Sequence, residues 1–497
     1  MESKLKVVFT FTKPLDEKAK KSAEKILNEL EKKFKDKDPG FSAKPELKEK
    51  LTLHLTTGDT NPTHFVVQLD RKLKEILGKE CKIGTKDYHL EEYETIFDLD
   101  QTPPKPIKVP YGEVTIKGKE VHLIYKKIDK DFFEDQIVMR TVSLIKEKVK
   151  KQSYQGKDEF RELMWEGQQR IVTYTSDPAV DLEKMRWLRR TSAKAQFILG
   201  RELTALIAVF KELFEERVYK KLGFFEMTFP KFEPWDVPEK SGHAKNIYPN
   251  AYFISVPRES SEEFWEDVMD EYYITHKVPA QEVLNKSVCV GMMSFAQCPP
   301  FWPYLEKSVI DEESLPLLIY DWSGPTYRNE AGGTHGLDRV EEFHRIETIY
   351  LGTKEQVVKT WHDLAEAMRT FFDQALDLEI RQSRVTPWWM VHGGIQEDKK
   401  NNDVGTFDFD AYLPYRGDRI KEWLEIQNAS SNGDKYPKAF QVKGRKEELW
   451  SGCAGGSFER WLAAFLGQKG LDPKNWPELV RIRYMEKIKK MKSLKFY

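Results

Sequence analysis

Cysteine is scarce. The 497 residues hold four, Cys81, Cys289, Cys298 and Cys453, with no close pair, which argues against a disulfide framework and points to a reducing compartment. No run of about 18 apolar residues exists to span a membrane, and Met1-Glu2-Ser3-Lys4 opens a charged segment without a signal-peptide core. A cytoplasmic protein is expected. A dominant charge is also missing: 80 basic against 81 acidic residues leave a net charge of −1, so no global basic field advertises nucleic-acid binding. The balance is uneven, with 31 Lys/Arg against 27 Asp/Glu in residues 1–150 and an acidic excess beyond them. Any polyanion would meet a local patch. G-x-x-x-x-G-K-[ST], G-x-G-x-x-G after a strand, C-x-x-C and H-E-x-x-H are all absent, which removes the main support for P-loop, Rossmann and common zinc-motif readings.

What remains is a soluble, enzyme-sized composition, 40% hydrophobic and 32% charged, long enough for two or three domains. Leu5, Val7 and Phe9 alternate in a strand over Lys4–Thr12, and Ala19, Ala23, Ile26, Leu27 and Leu30 mark a helix over Asp16–Lys37. Strand patterns follow at Lys50–Thr56, Phe65–Leu69, Glu113–Ile116 and Val121–Tyr125, with helical ones at Asp70–Leu77 and Phe132–Lys151. The mixture predicts an α+β domain over 1–165, closed by the basic, Gln/Ser/Gly-containing stretch Lys146–Lys157. A second domain is expected over 175–497, starting with a long helical pattern from Asp181 to Lys221, interrupted by a charged helical insertion at 258–287, and β-rich around Leu317–Tyr320 and Trp423–Gln427. Lys490-Met491-Lys492-Ser493 reads as a basic tail.

Two segments carry chemistry. In the run from Tyr327 to Glu347, Arg328 and Glu330 lie two apart, and after a glycine-containing loop Arg339, Phe343 and Glu347 recur four apart. Extended backbone puts each set on one face. The resulting hairpin suits a nucleotide held by arginine with its base on Phe343; the bare pattern equally describes a surface salt-bridge hairpin with a core phenylalanine. Gly452-Cys453-Ala454-Gly455-Gly456-Ser457-Phe458-Glu459-Arg460 leads small residues into an apolar helix and sets Arg460 at its entry, where a terminal phosphate could meet it.

These segments, with Phe229-Pro230-Lys231-Phe232 upstream, resemble motifs 2, 3 and 1 of the class II aminoacyl-tRNA synthetases. Ser241-Gly242-His243-Ala244, Ala296-Gln297-Cys298-Pro299-Pro300-Phe301-Trp302, Gly336-Leu337-Asp338-Arg339-Val340-Glu341-Glu342-Phe343-His344-Arg345 and Phe465-Leu466-Gly467-Gln468-Lys469-Gly470 are similar to the methanogen-type (type 2) seryl-tRNA synthetases, over roughly residues 180–497. The resemblance implies a class II catalytic domain, an antiparallel sheet flanked by helices, behind an N-terminal tRNA-binding domain. It implies activation of L-serine by ATP and transfer to tRNA(Ser), and to selenocysteine tRNA where one is present. The alternatives are an amino acid:carrier-protein ligase of the same fold and a silent RNA-binding paralogue.

Residue by residue, the resemblance makes Cys298, Glu347 and Cys453 ligands of one Zn²⁺ per subunit, with a fourth position open to the serine amino group; without it, Cys298 and Cys453 are two buried cysteines. Cys81 and Cys289 are read as core. Arg328 would neutralise the α-phosphate and the serine carboxylate, and Glu330 accept from the adenine amino group. Arg339 would take the far phosphates with Val340 beside the base, Phe343 would carry adenine, and Arg460 would face the γ-phosphate, so that Arg328 and Arg460 are the expected catalytic pair. Glu425 would hold Mg²⁺ with ATP, Asn428 approach the serine hydroxyl, Gln297 contribute backbone contacts to serine, and Arg345 line the substrate pocket. Pro387-Trp388-Trp389, in a loop over 387–403, corresponds to a segment that closes over serine, although adjacent tryptophans are as readily core or interface. The family also implies a homodimer through motif 1, near Pro230–Pro238.

Overall fold

Alternation in the first strand, Glu2–Phe11, buries Leu5, Val7 and Phe9 and leaves Lys4 in solvent. It is central in an antiparallel sheet ordered Ser42–Leu47, Leu51–Thr57, Glu2–Phe11, Thr85–Asp98, Glu120–Ile128, Glu113–Lys117. Helices Glu17–Lys35, Pro62–Cys81 and Ile137–Tyr154 share one hydrophobic core with the buried residues of that sheet. Asp16 caps the first helix by accepting from Ala19 N at 2.8 Å. The structure is a computed structural model and describes residues 1–58, 60–154, 160–245, 250–277, 279, 283–330, 333–386 and 403–494.

One sequence expectation fails in this first unit. Phe65–Leu69 is not a strand but part of the helix Pro62–Cys81. Short apolar runs do not distinguish the two states; Asn61 decides by accepting from Thr63 N, with Pro62 preset at the first helical turn. The strand Thr85–Asp98 has no clear alternation in sequence, because charged outward residues and a register shift break it, while Tyr88, Leu90, Tyr93, Thr95 and Phe97 still point inward.

The chain divides into Met1–Lys157 and Asp158–Tyr497. The boundary therefore precedes Phe160–Glu166, which the sequence reading kept with the first domain and which is an edge strand of the second unit. The sheet there runs Phe225–Glu226, Leu317–Asp321, Glu342–Gly352, Trp450–Ser457, Trp423–Gly433, Gly405–Tyr412, Ile380–Thr386, Phe160–Glu166, with Pro325–Tyr327 paired beside Glu342–Gly352. Only the first pair is parallel. Helices Arg201–Phe214, Lys354–Thr370 and Phe458–Lys469 bury one face of it. Trp461 sits in that core against Phe214, Phe371, Phe372 and Phe458, and its Nε1 donates to the Ile426 carbonyl at 3.1 Å. Truncating such a residue costs about 3–5 kcal/mol, so the helix that carries Arg460 is held rigidly on the sheet.

The expected long helix Asp181–Lys221 is broken. Pro178–Lys184 ends early, Leu188–Arg190 and Phe197–Leu199 pair as a short hairpin, and the helix restarts at Arg201. Gly200 permits the restart, because its N–H donates to Trp187 O at 2.7 Å and a Cβ would lie 2.9 Å from that oxygen. The insertion at 258–287 is helical over Glu262–Thr275, after which the chain turns into the strand Leu284–Met293. The loop 387–402, with Trp388 and Trp389, lies outside the described residues. Among the described residues no helix is long and apolar enough to cross a membrane.

Candidate active site

Strand register builds the site. Ile346, Tyr350 and Ala454 face the helical core, so Phe343, Arg345 and Glu347 on one strand and Cys453 and Gly455 on the next face the opposite way. Asn428 and Ser430 join them from the third strand, aligned with Gly455 and Cys453. A cleft of about 350 Å³ lies over this face. Gly455 is required by a close approach: a Cβ there would fall 2.1 Å from Nη2 of Arg345, whose guanidinium lies against the glycine.

At one end, ligand atoms of Cys298, Glu347 and Cys453 lie within 4.8 Å of one another. Glu347 is fully buried; Oε2 accepts from Arg345 Nε at 2.6 Å, and among the described residues Oε1 has no hydrogen-bond partner. Burial pushes the Glu347 carboxyl up, against the pull of Arg345, and the neighbouring Cys453 thiol together with burial pushes the Cys298 thiol well up. Asn432 Nδ2 donates to Cys453 Sγ at 3.3 Å, and the Tyr436 hydroxyl lies 4.0 Å from Cys298 Sγ. Two thiols, a carboxylate with an orphaned buried oxygen and an outer layer of polar groups fit a soft divalent cation such as zinc. His243 closes the wall, its Nδ1 2.9 Å from Ser241 Oγ. Burial, with Lys435 and Arg345 nearby, brings its pKa down to about 3, so this imidazole is neutral at physiological pH.

At the other end three arginines converge. Arg328 stacks its guanidinium 4.3 Å from the Phe295 ring centroid and 5.9 Å from that of Phe343, and its buried Nε has no hydrogen-bond partner among the described residues. Burial, with repulsion from Arg345 and Arg460, lowers it to about 10. It remains charged at neutral pH, in surroundings that favour an incoming anion. Arg460 donates through Nη1 to Glu425 O at 2.7 Å and through Nε to Asp338 O at 3.2 Å. The Glu425 carboxylate accepts from Asn428 Nδ2 at 2.9 Å and lies 3.8 Å from Arg460. Arg339 and Glu330 bond to each other, Nε to Oε2 at 2.9 Å. The strand geometry also differs from the expected hairpin: Pro325–Tyr327 ends before Arg328, and Arg339 precedes the strand that begins at Glu342.

Of the site residues inferred from sequence, Cys298, Arg328, Glu330, Arg339, Val340, Phe343, Arg345, Glu347, Glu425, Asn428, Cys453 and Arg460 all line the cleft. Gln297 does not; it is fully buried and its Nε2 donates to Gly324 O at 2.9 Å. Cys289, expected in the core, is exposed. Phe295, Asp338, Asp408, Lys435 and Tyr436 also line the cleft, and no sequence motif singles them out. Tyr436 lies 138 residues from Cys298, and nothing in local spacing joins them.

Residues 285–469 match the family described as the tRNA synthetase class II core domain (G, H, P, S and T). Among similar proteins, a type-2 serine–tRNA ligase of Methanococcoides burtonii is 39% identical over 431 residues, 86% of each chain. A second, from Methanothrix thermoacetophila, is 38% identical over 85% of this chain and 84% of its own. Among solved structures, M. kandleri SerRS, in a crystal structure with A. aeolicus tRNASec, superposes with a TM-score of 0.82 at 25% identity, covering 98% of this chain and 97% of that one. With cysteines, glutamate and arginines of its own in one cleft, and relatives of this identity along most of its length, the chain belongs to the type-2 serine–tRNA ligases.

Proposed function

We infer that this chain activates L-serine with ATP to seryl-adenylate and transfers the seryl group to tRNA(Ser). The observation that carries the reading is the single cleft that joins the Cys298–Glu347–Cys453 cluster to Arg328, Arg339 and Arg460. Serine lies between the two ends, its carboxylate toward Arg328 and its hydroxyl toward Asn428. Arg328 draws the α-phosphate, Arg339 and Arg460 flank the β- and γ-phosphates, and adenine rests by Phe343 and Val340 with its amino group toward Glu330. The serine carboxylate then attacks the α-phosphorus in line as pyrophosphate leaves, and the terminal ribose hydroxyl of the tRNA attacks the acyl carbon as AMP leaves. No protein nucleophile is needed: fixed guanidiniums stabilise charge where it develops, and orientation supplies the rest.

Cys298, Glu347 and Cys453 would hold Zn²⁺, which when bound supplies a position for the serine α-amine. Arg345 orients Glu347 for that duty. Glu425 would hold Mg²⁺ with the phosphates. The pocket wall, including His243, Ser430 and Tyr436, has to exclude threonine, whose extra methyl is worth only about 1–3 kcal/mol. The first unit binds the tRNA, the chain works as a homodimer through the Pro230–Pro238 region, and four free cysteines suit the cytoplasm. Charging of selenocysteine tRNA follows the same chemistry, as the M. kandleri complex suggests.

ATP–pyrophosphate exchange with serine, threonine, cysteine, alanine and glycine, and metal analysis of the same sample, tests the reading. Serine-dependent exchange and about one zinc per chain are expected. Exchange with alanine or glycine in preference to serine would favour a carrier-protein ligase, and none with any amino acid a silent paralogue.

A further inference from the structure

Asp338 sits where the nucleotide loop returns to the sheet. The turn from His335 to Arg339 is closed by His335 N donating to Arg339 O at 2.9 Å and Arg339 N to His335 O at 3.0 Å. The Asp338 carboxylate at its base has no solvent exposure. It is 3.1 Å from His335 Nδ1, accepts from the Tyr415 hydroxyl at 3.2 Å, and pairs with Arg416 Nη2 at 2.6 Å. Tyr415 and Arg416 belong to a separate turn, and Tyr415 packs where a Cβ on Gly467 would lie 2.9 Å from its ring. The Asp338 carbonyl meanwhile accepts from Arg460 Nε at 3.2 Å. One residue thus ties three segments together. A buried carboxylate is stable only while its donors stay in place, so it fixes the turn that presents Arg339 and the carbonyl that aims Arg460.

We propose that Asp338, clamped by Arg416 and Tyr415, is a positioning residue for ATP that sets Arg339 and Arg460 on the two flanks of the triphosphate. The proposal rests on the reading above that these two arginines hold ATP. It separates the ends of the cleft: among the described residues Asp338 has no hydrogen bond to Cys298, Glu347, Cys453 or Arg345, so the serine end is held independently.

The test uses full-length D338N, R416Q and Y415F in serine-dependent ATP–pyrophosphate exchange, with calorimetric titration of ATP alone and thermal melting of each. E379Q is the control, since Glu379 is an equally buried carboxylate, bonded to Arg419 at 2.6 Å, away from the cleft. D338N and R416Q should raise KM for ATP and weaken ATP binding by about 10- to 100-fold, the scale of a small misplacement of reacting groups, while KM for serine stays within about twofold. Y415F should move the same parameter less. E379Q should lower the melting temperature and leave both KM values alone. Unchanged ATP binding in D338N and R416Q, or ATP and serine KM rising together in step with lost stability, would overturn the proposal. Should D338N fail to fold, R416Q and Y415F, which alter the more exposed half of the clamp, decide it. Wild-type protein lacking serine-dependent exchange but showing the same loss of ATP binding in the variants would refute the ligase reading and leave the clamp standing.

Discussion

Arg345 donates through Nε to Oε2 of Glu347, two residues along the same strand, at 2.6 Å. On a strand this spacing places both on one face, and the absence of a side chain at Gly455 makes room for the guanidinium to reach across. The bond leaves the second Glu347 oxygen as a buried acceptor with no hydrogen-bond partner among the described residues, beside two thiols. The carboxylate is oriented before any cation arrives, which is how outer groups raise the quality of a metal site.

Gly455→Ala should therefore fail at the site and not in the fold. A Cβ 2.1 Å from Nη2 has to displace Arg345, releasing Glu347. Metal content should fall and serine-dependent exchange should drop by about 100-fold, with circular dichroism unchanged. Normal zinc content and exchange in this variant would show that Arg345 has another place to go.

Metal removal provides a second check. Cys453→Ala deletes one of three ligands in the cluster, so both zinc and serine activation should be lost. Chelated wild-type protein should also melt at lower temperature, because an ion that binds only the folded chain stabilises it in proportion to RT ln(1 + [L]/Kd). Full activity in metal-free protein would sink the zinc assignment.

A third expectation concerns pH. His344 Nδ1 lies 2.7 Å from Glu459 Oε1, and the Glu459 carboxylate accepts from the His344 backbone N–H as well. This contact pushes the His344 pKa above its usual value, against the partial desolvation of a half-exposed ring. A raised folded pKa means that its stabilisation is fully present below the unfolded value of about 6.5 and is lost as pH rises through the higher folded value. The melting-temperature gap between wild type and His344→Gln should thus be widest in mild acid and shrink toward alkaline pH. A gap independent of pH would show that only the neutral hydrogen bond matters.

A fourth separates the two units. Each has its own hydrophobic core, so residues 158–497 should fold without the first unit. Phosphate contacts by the basic first unit would release counterions and weaken steeply with salt, whereas close arginine and metal contacts are screened less. The truncated protein should keep serine-dependent exchange and lose tRNA charging; charging at the full-length rate would place the RNA contacts elsewhere.

The last concerns assembly. Phe232, at the start of the short strand Phe232–Pro234, is exposed, and a twofold dimer through that strand would cover it. Phe232→Glu should shift sedimentation from dimer to monomer and abolish activation together with it. An active wild-type monomer at every concentration would refute the dimer.

By itself the sequence determined the elements whose signal is local. The capped first helix, the strands Leu51–Thr57 and Glu120–Ile128, and the glycine-rich entry to Phe458–Lys469 all follow from spacing and end residues within about ten positions. Residues that line the cleft were legible as strings resembling a family, because Arg328, Glu347, Cys453 and Arg460 each stand in a distinctive local context. Only the tertiary structure decided the rest. Asp181–Lys221 broke where Gly200 meets Trp187. The Asp338 clamp draws its donors from residues 415 and 416, and the Cys298 pocket takes Tyr436 from 138 positions away. Such partners are set by strand register and packing, which depend on the whole chain, whereas propensity and capping depend on a few neighbours.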